Sequence, residues 1–162
     1  MNKYPRSAYV HIPFCHRRCF YCDFAVIPLG NKVETLQGYG SKTVKEYLHF
    51  LYKEILSIKH KSSLSTIYVG GGTPSILDPQ QIKQLIDLFK ENYGVDYGAE
   101  ITMEVDPASF SLDDLHGFIN AGINRFSLGV QSFNNQILQK SGRRHLREDA
   151  EKSCLWLKRV YD

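Results

Sequence analysis

Cys15, Cys19 and Cys22 fall within eight residues in a Cys-x3-Cys-x2-Cys spacing. Three thiolates from one short loop form a soft ligand set that leaves a metal centre one coordination position short. A structural zinc site draws two pairs of ligands, and a ferredoxin run supplies a fourth thiolate; this loop has neither pattern. The chemistry expected is a 4Fe–4S cluster held by three cysteines, with the fourth iron open to a chelating ligand. The rival is zinc, with His11 or His16 as fourth ligand. The remaining cysteine, Cys154, lies at helix-packing periodicity and reads as a small core residue.

Other residues with chemical potential stand elsewhere in the chain. Gly70-Gly71-Gly72-Thr73-Pro74 follows an apolar run, where glycines let the backbone approach a ligand or turn tightly. It has neither the Lys-Ser/Thr of a phosphate loop nor the Gly-x-Gly-x-x-Gly spacing, so nucleotide phosphate is not its obvious target. Glu104 could accept hydrogen bonds from a ribose or an ammonium group, or form a surface ion pair. Gln131 sits just past another apolar run. Tyr9 and His11 share a strand face by alternation. Arg143, Arg144 and His145 could clamp a carboxylate or form a solvated basic loop.

The elements that must position these residues read as alternating strands and amphipathic helices. Ser7 to Ile12 is a first strand, followed after a Gly- and Pro-punctuated connection (28–40) by a helix facing inward through Val44, Tyr47, Leu48, Leu51, Ile55 and Ile58. Residues 66–69 form a second strand. Asp78 caps a helix with Pro79 at its first position, burying Ile82, Leu85, Ile86 and Phe89. Residues 100–105 form a third strand, halted by Asp106-Pro107, with Thr102 and Glu104 on the face opposite Ile101, Met103 and Val105. Ser111 caps a helix bearing Leu115, Phe118 and Ile119, stopped by Gly122. A fourth strand over 124–130 precedes a short helix at 135–140. A last helix over about 147–160 carries Ala150, Cys154, Leu157 and Tyr161 as its stripe.

Four βα units predict an α/β fold with a parallel sheet: either a small open domain or, as favoured here, the N-terminal portion of a larger barrel. Each unusual motif falls at the carboxyl end of a strand, where the βα loops of such folds gather their function. The chain of 162 residues, 43% hydrophobic and 23% charged, suits one globular domain. A net charge of +3 without a basic run gives no indication of nucleic-acid binding. No apolar stretch approaches the ~20 residues needed to span a bilayer, and the N-terminus has no signal-peptide core. A reducing, cytoplasmic location is therefore expected, where clustered cysteines serve metals before disulfides.

Together these residues resemble the radical S-adenosylmethionine (SAM) superfamily, in the branch containing the oxygen-independent coproporphyrinogen III dehydrogenases (HemN) and the haem chaperones (HemW). The resemblance runs from Ser7 to about His145. It rests on YVHIPFC at 9–15, the cysteine triplet, GGGTP at 70–74, EVDP at 104–107, NRFSLGVQSF at 124–133 and Gly142-Arg143. It implies a partial, TIM-like radical SAM barrel of about four βα units. Residues 1–162 would be the N-terminal part of the core domain, with the rest of the barrel and a C-terminal domain absent.

The resemblance also implies roles. Cys15, Cys19 and Cys22 would ligate a 4Fe–4S cluster whose open iron is chelated by the amino and carboxylate groups of SAM. Tyr9 would lie near the sulfonium and Tyr21 by the adenine. The backbone of Gly71, Gly72 and Thr73 would meet the amino group, and Glu104 the ribose. Gln131 and Arg143 match positions facing a second SAM. Reduction would cleave SAM to a 5′-deoxyadenosyl radical. Dehydrogenase members carry a further cysteine two residues after the third ligand, where this chain has Phe24. That substitution turns the expectation towards a haem chaperone, binding haem and passing it to an acceptor protein. A porphyrinogen oxidoreductase is the alternative.

Overall fold

Alternation along the strands decides which face of this protein is buried. The computed structural model describes residues 4–30, 39–58 and 62–161, so most of the connection expected over 28–40 lies outside the described residues. Its strands are β1 (Ser7–Ile12), β2 (Phe14–Cys15), β3 (Ile27–Pro28), β4 (Leu64–Gly71), β5 (Val95–Val105) and β6 (Arg125–Leu128). Its helices are α1 (Tyr39–Ser57), α2 (Pro79–Asn92), α3 (Leu112–Ala121), α4 (Asn135–Lys140) and α5 (Arg147–Tyr161), with a 3-10 turn over Pro74–Ile76.

β1, β4, β5 and β6 pair in parallel, in that order. Each new strand adds beside the previous one, so the order never reverses as it does in a doubly wound sheet. Sequential addition is the way a βα barrel grows. The order fits a partial barrel and not a doubly wound sheet.

One face of this sheet carries Val10, Ile12, Ile67, Val69, Ile101, Met103 and Val105, all buried in a core shared with the helices. Val44, Leu48 and Ile55 of α1, the predicted Ile82–Leu85–Ile86–Phe89 stripe of α2, and Leu115 and Phe118 of α3 complete it. The opposite face bears Tyr9, His11, Tyr68, Glu104, Arg125 and Ser127, none of which is fully buried. That polar face corresponds to the inside of a barrel.

Helix ends follow local chemistry. Asp78 caps α2 in a reciprocal box with Gln81, and Ser111 caps α3 in one with Asp114. Each such cap contributes about 1 kcal/mol by satisfying N–H groups the helix leaves unpaired. Gly122 ends α3 in the left-handed conformation, as expected.

Three expectations need correction. Cys154 is exposed; the buried stripe of α5 is Ala150 and Ser153, with Trp156, Leu157 and Val160 packed beside them. Trp156 meets the Phe110 ring at 6.0 Å between centroids and Tyr161 meets Phe126 at 6.5 Å, so the packed face runs through Ser153 and Trp156 and leaves Cys154 outside it. Ile58 lies past the end of α1 and is exposed. β5 begins five residues before the expected 100–105 strand, whereas β6 is only four residues long. The early part of β5 breaks the apolar alternation, with Asp96 and the exposed Tyr97 and Gly98 between Val95 and buried Ala99, so hydrophobic patterning does not report it.

Candidate cofactor-binding site

β2 and β3 frame the cysteine loop. Phe14 pairs with Ile27 and Cys15 with Pro28, while Ile27 N–H donates to Pro13 O (2.6 Å) and Leu29 N–H to Cys15 O (2.8 Å). The base of the loop is thereby closed before Cys19 and Cys22 are placed. Cys22 N–H donates to Cys19 O at 3.1 Å, and Arg18 Nε–H donates to Cys22 O at 2.9 Å. The outer side of the loop is tied down by Phe20 N–H to Ser141 O at 3.0 Å.

The glycine run lies directly against this loop. A Cβ on Gly72 would sit 2.6 Å from Phe14 O and 2.9 Å from Cys15 Sγ, closer than side chains tolerate. Gly71 adopts φ 119°, and a Cβ there would meet Ile12 O and the His11 ring at 2.9 Å. Only glycine permits both the approach and the backbone conformation. The N–H groups are already committed. Gly71 donates to Glu104 Oε2 (3.1 Å), Gly72 to Ile12 O (2.8 Å) and Thr73 to Phe14 O (2.8 Å). What the run can present to a ligand is therefore carbonyl oxygen, which suits a cation such as an ammonium group. The Thr73 hydroxyl donates to Cys15 Sγ at 3.4 Å. Burial pushes the Cys15 thiol above its ordinary pKa, with the Thr73 bond acting the other way.

Across the polar face of the sheet runs a second array. Register places Tyr9 beside Tyr68 and His11 beside Gly70. His11 Nε2 is 3.1 Å from Ala25 O, and a carbonyl only accepts, so Nε2 carries the proton. Nδ1 is then the acceptor for the Tyr9 hydroxyl at 2.9 Å. The Tyr9 ring stacks on Tyr68 at 6.1 Å, and the Tyr68 hydroxyl donates to Glu104 Oε1 at 2.7 Å.

The far rim is held by a charge cluster. Arg143 Nη2 meets Asp106 Oδ2 at 2.6 Å and Gly129 O at 2.7 Å, while its Nη1 lies 3.8 Å from Cys19 Sγ. Buried His145 donates from Nε2 to Val130 O at 3.0 Å. Its Nδ1 stands 3.3 Å from Arg143 Nη2 and 3.5 Å from Asp106 Oδ1. Gln131 occupies the left-handed region (φ 63°), inside a tight turn closed by Ser132 N–H to Val130 O at 2.7 Å. Such strain in a non-glycine residue clusters at ligand sites.

These elements surround one open cavity of about 250 Å³. Cys15, Cys19, Cys22, Tyr21, Gly71, Gly72, Thr73, Glu104, Gln131 and Arg143, all singled out by sequence, line it. Tyr9 does not: it lines a groove between β1 and α1 and is linked to the cavity lining through Tyr68, which holds Glu104, and through His11, which lies against Gly71. Sequence reasoning missed Asp106 as a partner for Arg143, and it missed Tyr68. Tyr68 was discoverable, because alternation along β4 sends it to the face that carries Tyr9 and Glu104. Among the described residues no three Cys, His, Asp or Glu side chains come together to hold a single metal ion. Both ring nitrogens of His11, one of the two candidate zinc ligands, are engaged elsewhere.

Residues 9–162 match the sequence pattern of the Radical SAM superfamily. The chain belongs to that family. SAM and a 4Fe–4S cluster are the cofactors that membership implies. The chain is similar to the haem chaperone HemW of Synechocystis sp., with 41% identity over 150 residues, covering 92% of this chain and 35% of the relative. It is also similar to the oxygen-independent coproporphyrinogen III oxidase of Escherichia coli, with 40% identity over 139 residues, covering 82% of this chain and 28% of that one. Among solved structures, coproporphyrinogen III oxidase (HemN) from Escherichia coli, described as a radical SAM enzyme, matches with a TM-score of 0.79 and 33% identity. That match covers 97% of this chain and 35% of the other, so the fold is the corresponding part of a TIM-like radical SAM barrel. The chain thus spans about a third of the length of the relatives it matches. Among the described residues no helix is long and apolar enough to cross a membrane.

Proposed function

We propose that this chain is the N-terminal part of a radical SAM core that serves a haem chaperone, binding haem and transferring it to an acceptor protein. The observation that carries this reading is Phe24. It stands at the mouth of the cavity two residues after Cys22, 65% exposed, where a porphyrinogen-decarboxylating relative would need a further thiol. Phenylalanine offers an apolar plate and no proton or thiol chemistry.

Cys15, Cys19 and Cys22 would hold the cluster, and the donor set fits it. Three thiols around one cavity agree with a cluster in which each cysteine has its own iron. Arg143 Nε is buried without a hydrogen-bond partner, a donor left over at the edge of the cavity. When bound, cluster and SAM together supply one-electron chemistry at the sulfonium.

The chain's own part is to bind, orient and shield. Carbonyls of the Gly71–Gly72–Thr73 segment would receive the amino group, Glu104 the ribose, and Tyr21 the adenine face. Gln131 and Arg143 would face a second ligand at the far rim. Tyr9 would act from the neighbouring row, through Tyr68. Haem, an acceptor protein, an electron donor and a cytoplasmic setting belong to the same proposal.

The test is anaerobic reconstitution with iron and sulfide, followed by parallel haem-binding and coproporphyrinogen-decarboxylation assays. Haem bound without decarboxylation is the expected result. Decarboxylation coupled to SAM cleavage would replace the chaperone by the oxidase reading, and one zinc per chain in place of iron would overturn both.

A further inference from the structure

Both oxygens of the Glu104 carboxylate are already claimed by the chain beneath the cavity. Oε1 accepts from the Tyr68 hydroxyl at 2.7 Å, and Oε2 accepts from Gly71 N–H at 3.1 Å. These bonds come from two directions, fixing the plane of the carboxylate as well as its place. A carboxylate has about four acceptor positions, so one remains on each oxygen. Two acceptors side by side match the two hydroxyls of a vicinal diol.

The support for this arrangement is specific. Tyr68 is held by its stack on Tyr9 at 6.1 Å. Burial, reinforced by the neighbouring Glu104, pushes its phenol pKa up, so it remains a donor. Gly70 leaves the space the pair needs, since a Cβ there would come within 2.7 Å of Tyr68 Cε1 and 3.2 Å of Glu104 Cδ. A phenylalanine at 68 would fill the same volume and leave Oε1 unheld.

We propose that Tyr68 is a positioning residue: it holds Glu104 so that the two free acceptors face the ribose diol of an adenosyl ligand. The inference rests on the reading of Glu104 as a ribose contact and adds the residue that makes that contact selective. Tyr9 and His11 extend the support to Ala25, just beyond the cysteine loop, so the diol contact and the loop share one hydrogen-bonded and stacked array.

The experiment compares SAM with its 2′,3′-dideoxyribose analogue by equilibrium dialysis. It uses anaerobically reconstituted chain with the cluster kept oxidised, so that no turnover occurs. In Tyr68→Phe, SAM should bind roughly tenfold more weakly, as is typical when the support of a ligating group is removed. The analogue should bind as it does to the parent, within about twofold on the same scale. Gly70→Ala, which pushes on the same pair from the other side, should show the same selective loss at equal iron content. An equal loss for both ligands, or no loss for either, overturns the proposal. Glu104→Gln separates the two levels. If it preserves the parent's preference for SAM over the analogue, the ribose reading itself fails. If it abolishes that preference while Tyr68→Phe keeps it, only the role of Tyr68 fails.

Discussion

The Arg143 guanidinium lies 2.6 Å from the Asp106 carboxylate, and through this pair the end of β5 holds the loop that follows β6 and the loop that carries Cys19. Arg143 is 9% exposed and Asp106 24%, so the pair is shielded without being dry. Removing one partner leaves the other charged and half-buried, which costs less than the 3–5 kcal/mol of a fully buried pair. Asp106→Asn should lower stability to urea by about 1–3 kcal/mol. A double-mutant cycle with Arg143→Met should return a coupling of at least about 1 kcal/mol. Additive losses would show that the two residues act independently.

Close approach at Gly72 gives a second expectation. Gly72→Ala places a methyl group against Phe14 O and Cys15 Sγ, and backbone oxygen cannot rotate away. The cost should be about 1–3 kcal/mol, as for overpacking in a core, with a marked fall in iron bound after reconstitution. Gly98 is the control. Its φ is 78°, but a Cβ there meets nothing within 4 Å. Gly98→Ala should cost about 1 kcal/mol through backbone strain alone and leave iron content at the parent's level. Equal iron loss in the two variants would remove the packing argument.

Thiol chemistry separates the four cysteines. Cys15, Cys19 and Cys22 line the cavity, while Cys154 lies exposed on α5. Alanine at any of the first three should reduce reconstituted iron and acid-labile sulfide to near background. Cys154→Ser should leave both unchanged and alter stability by no more than about 0.5 kcal/mol, the usual range for surface sites. A loss of iron in Cys154→Ser would place a fourth thiol in the centre.

The contrast between Cys154 and Tyr68 shows what the sequence could and could not disclose. Strong periodicities survived folding: the α2 stripe, the Asp78 and Ser111 caps, and Gly122 all stand where spacing and capping chemistry put them. On α5 two stripes were compatible with helical spacing. Residue type favoured Cys154 over Ser153, but the Phe110–Trp156 contact, which depends on how two distant segments meet, chose the serine. The start of β5 was hidden for a related reason. Its residues are held by the ladder with β4, where Leu64 pairs with Val95 before the register shifts. The cavity lining was legible because every motif lies at a strand's carboxyl end. Its internal wiring, Tyr68 to Glu104 and Arg143 to Asp106, needed the register and the loop path. Neither can be read from a linear spacing.

A pH dependence should arise at the α1–α2 packing, away from the cavity. Burial, with a smaller contribution from Asp78, pushes the Tyr52 phenol up to about 12. Its hydroxyl donates to Gln81 O at 3.3 Å. The folded state thus holds the proton more tightly than the unfolded chain, where tyrosine titrates near 10. By linkage, the contribution of Tyr52 is fully present below about pH 10 and is lost as pH rises towards about 12. Tyr52 is only half-buried, so solvent screening reduces the size of the effect but not its sign. The measurement is the urea midpoint of the parent and of Tyr52→Phe between about pH 9 and 11.5, a range spanning the ordinary tyrosine pKa. The parent should lose stability more steeply than the variant as pH rises, because phenylalanine has no proton to release. Parallel curves would mean that the Tyr52 hydroxyl titrates alike in the folded and unfolded chains.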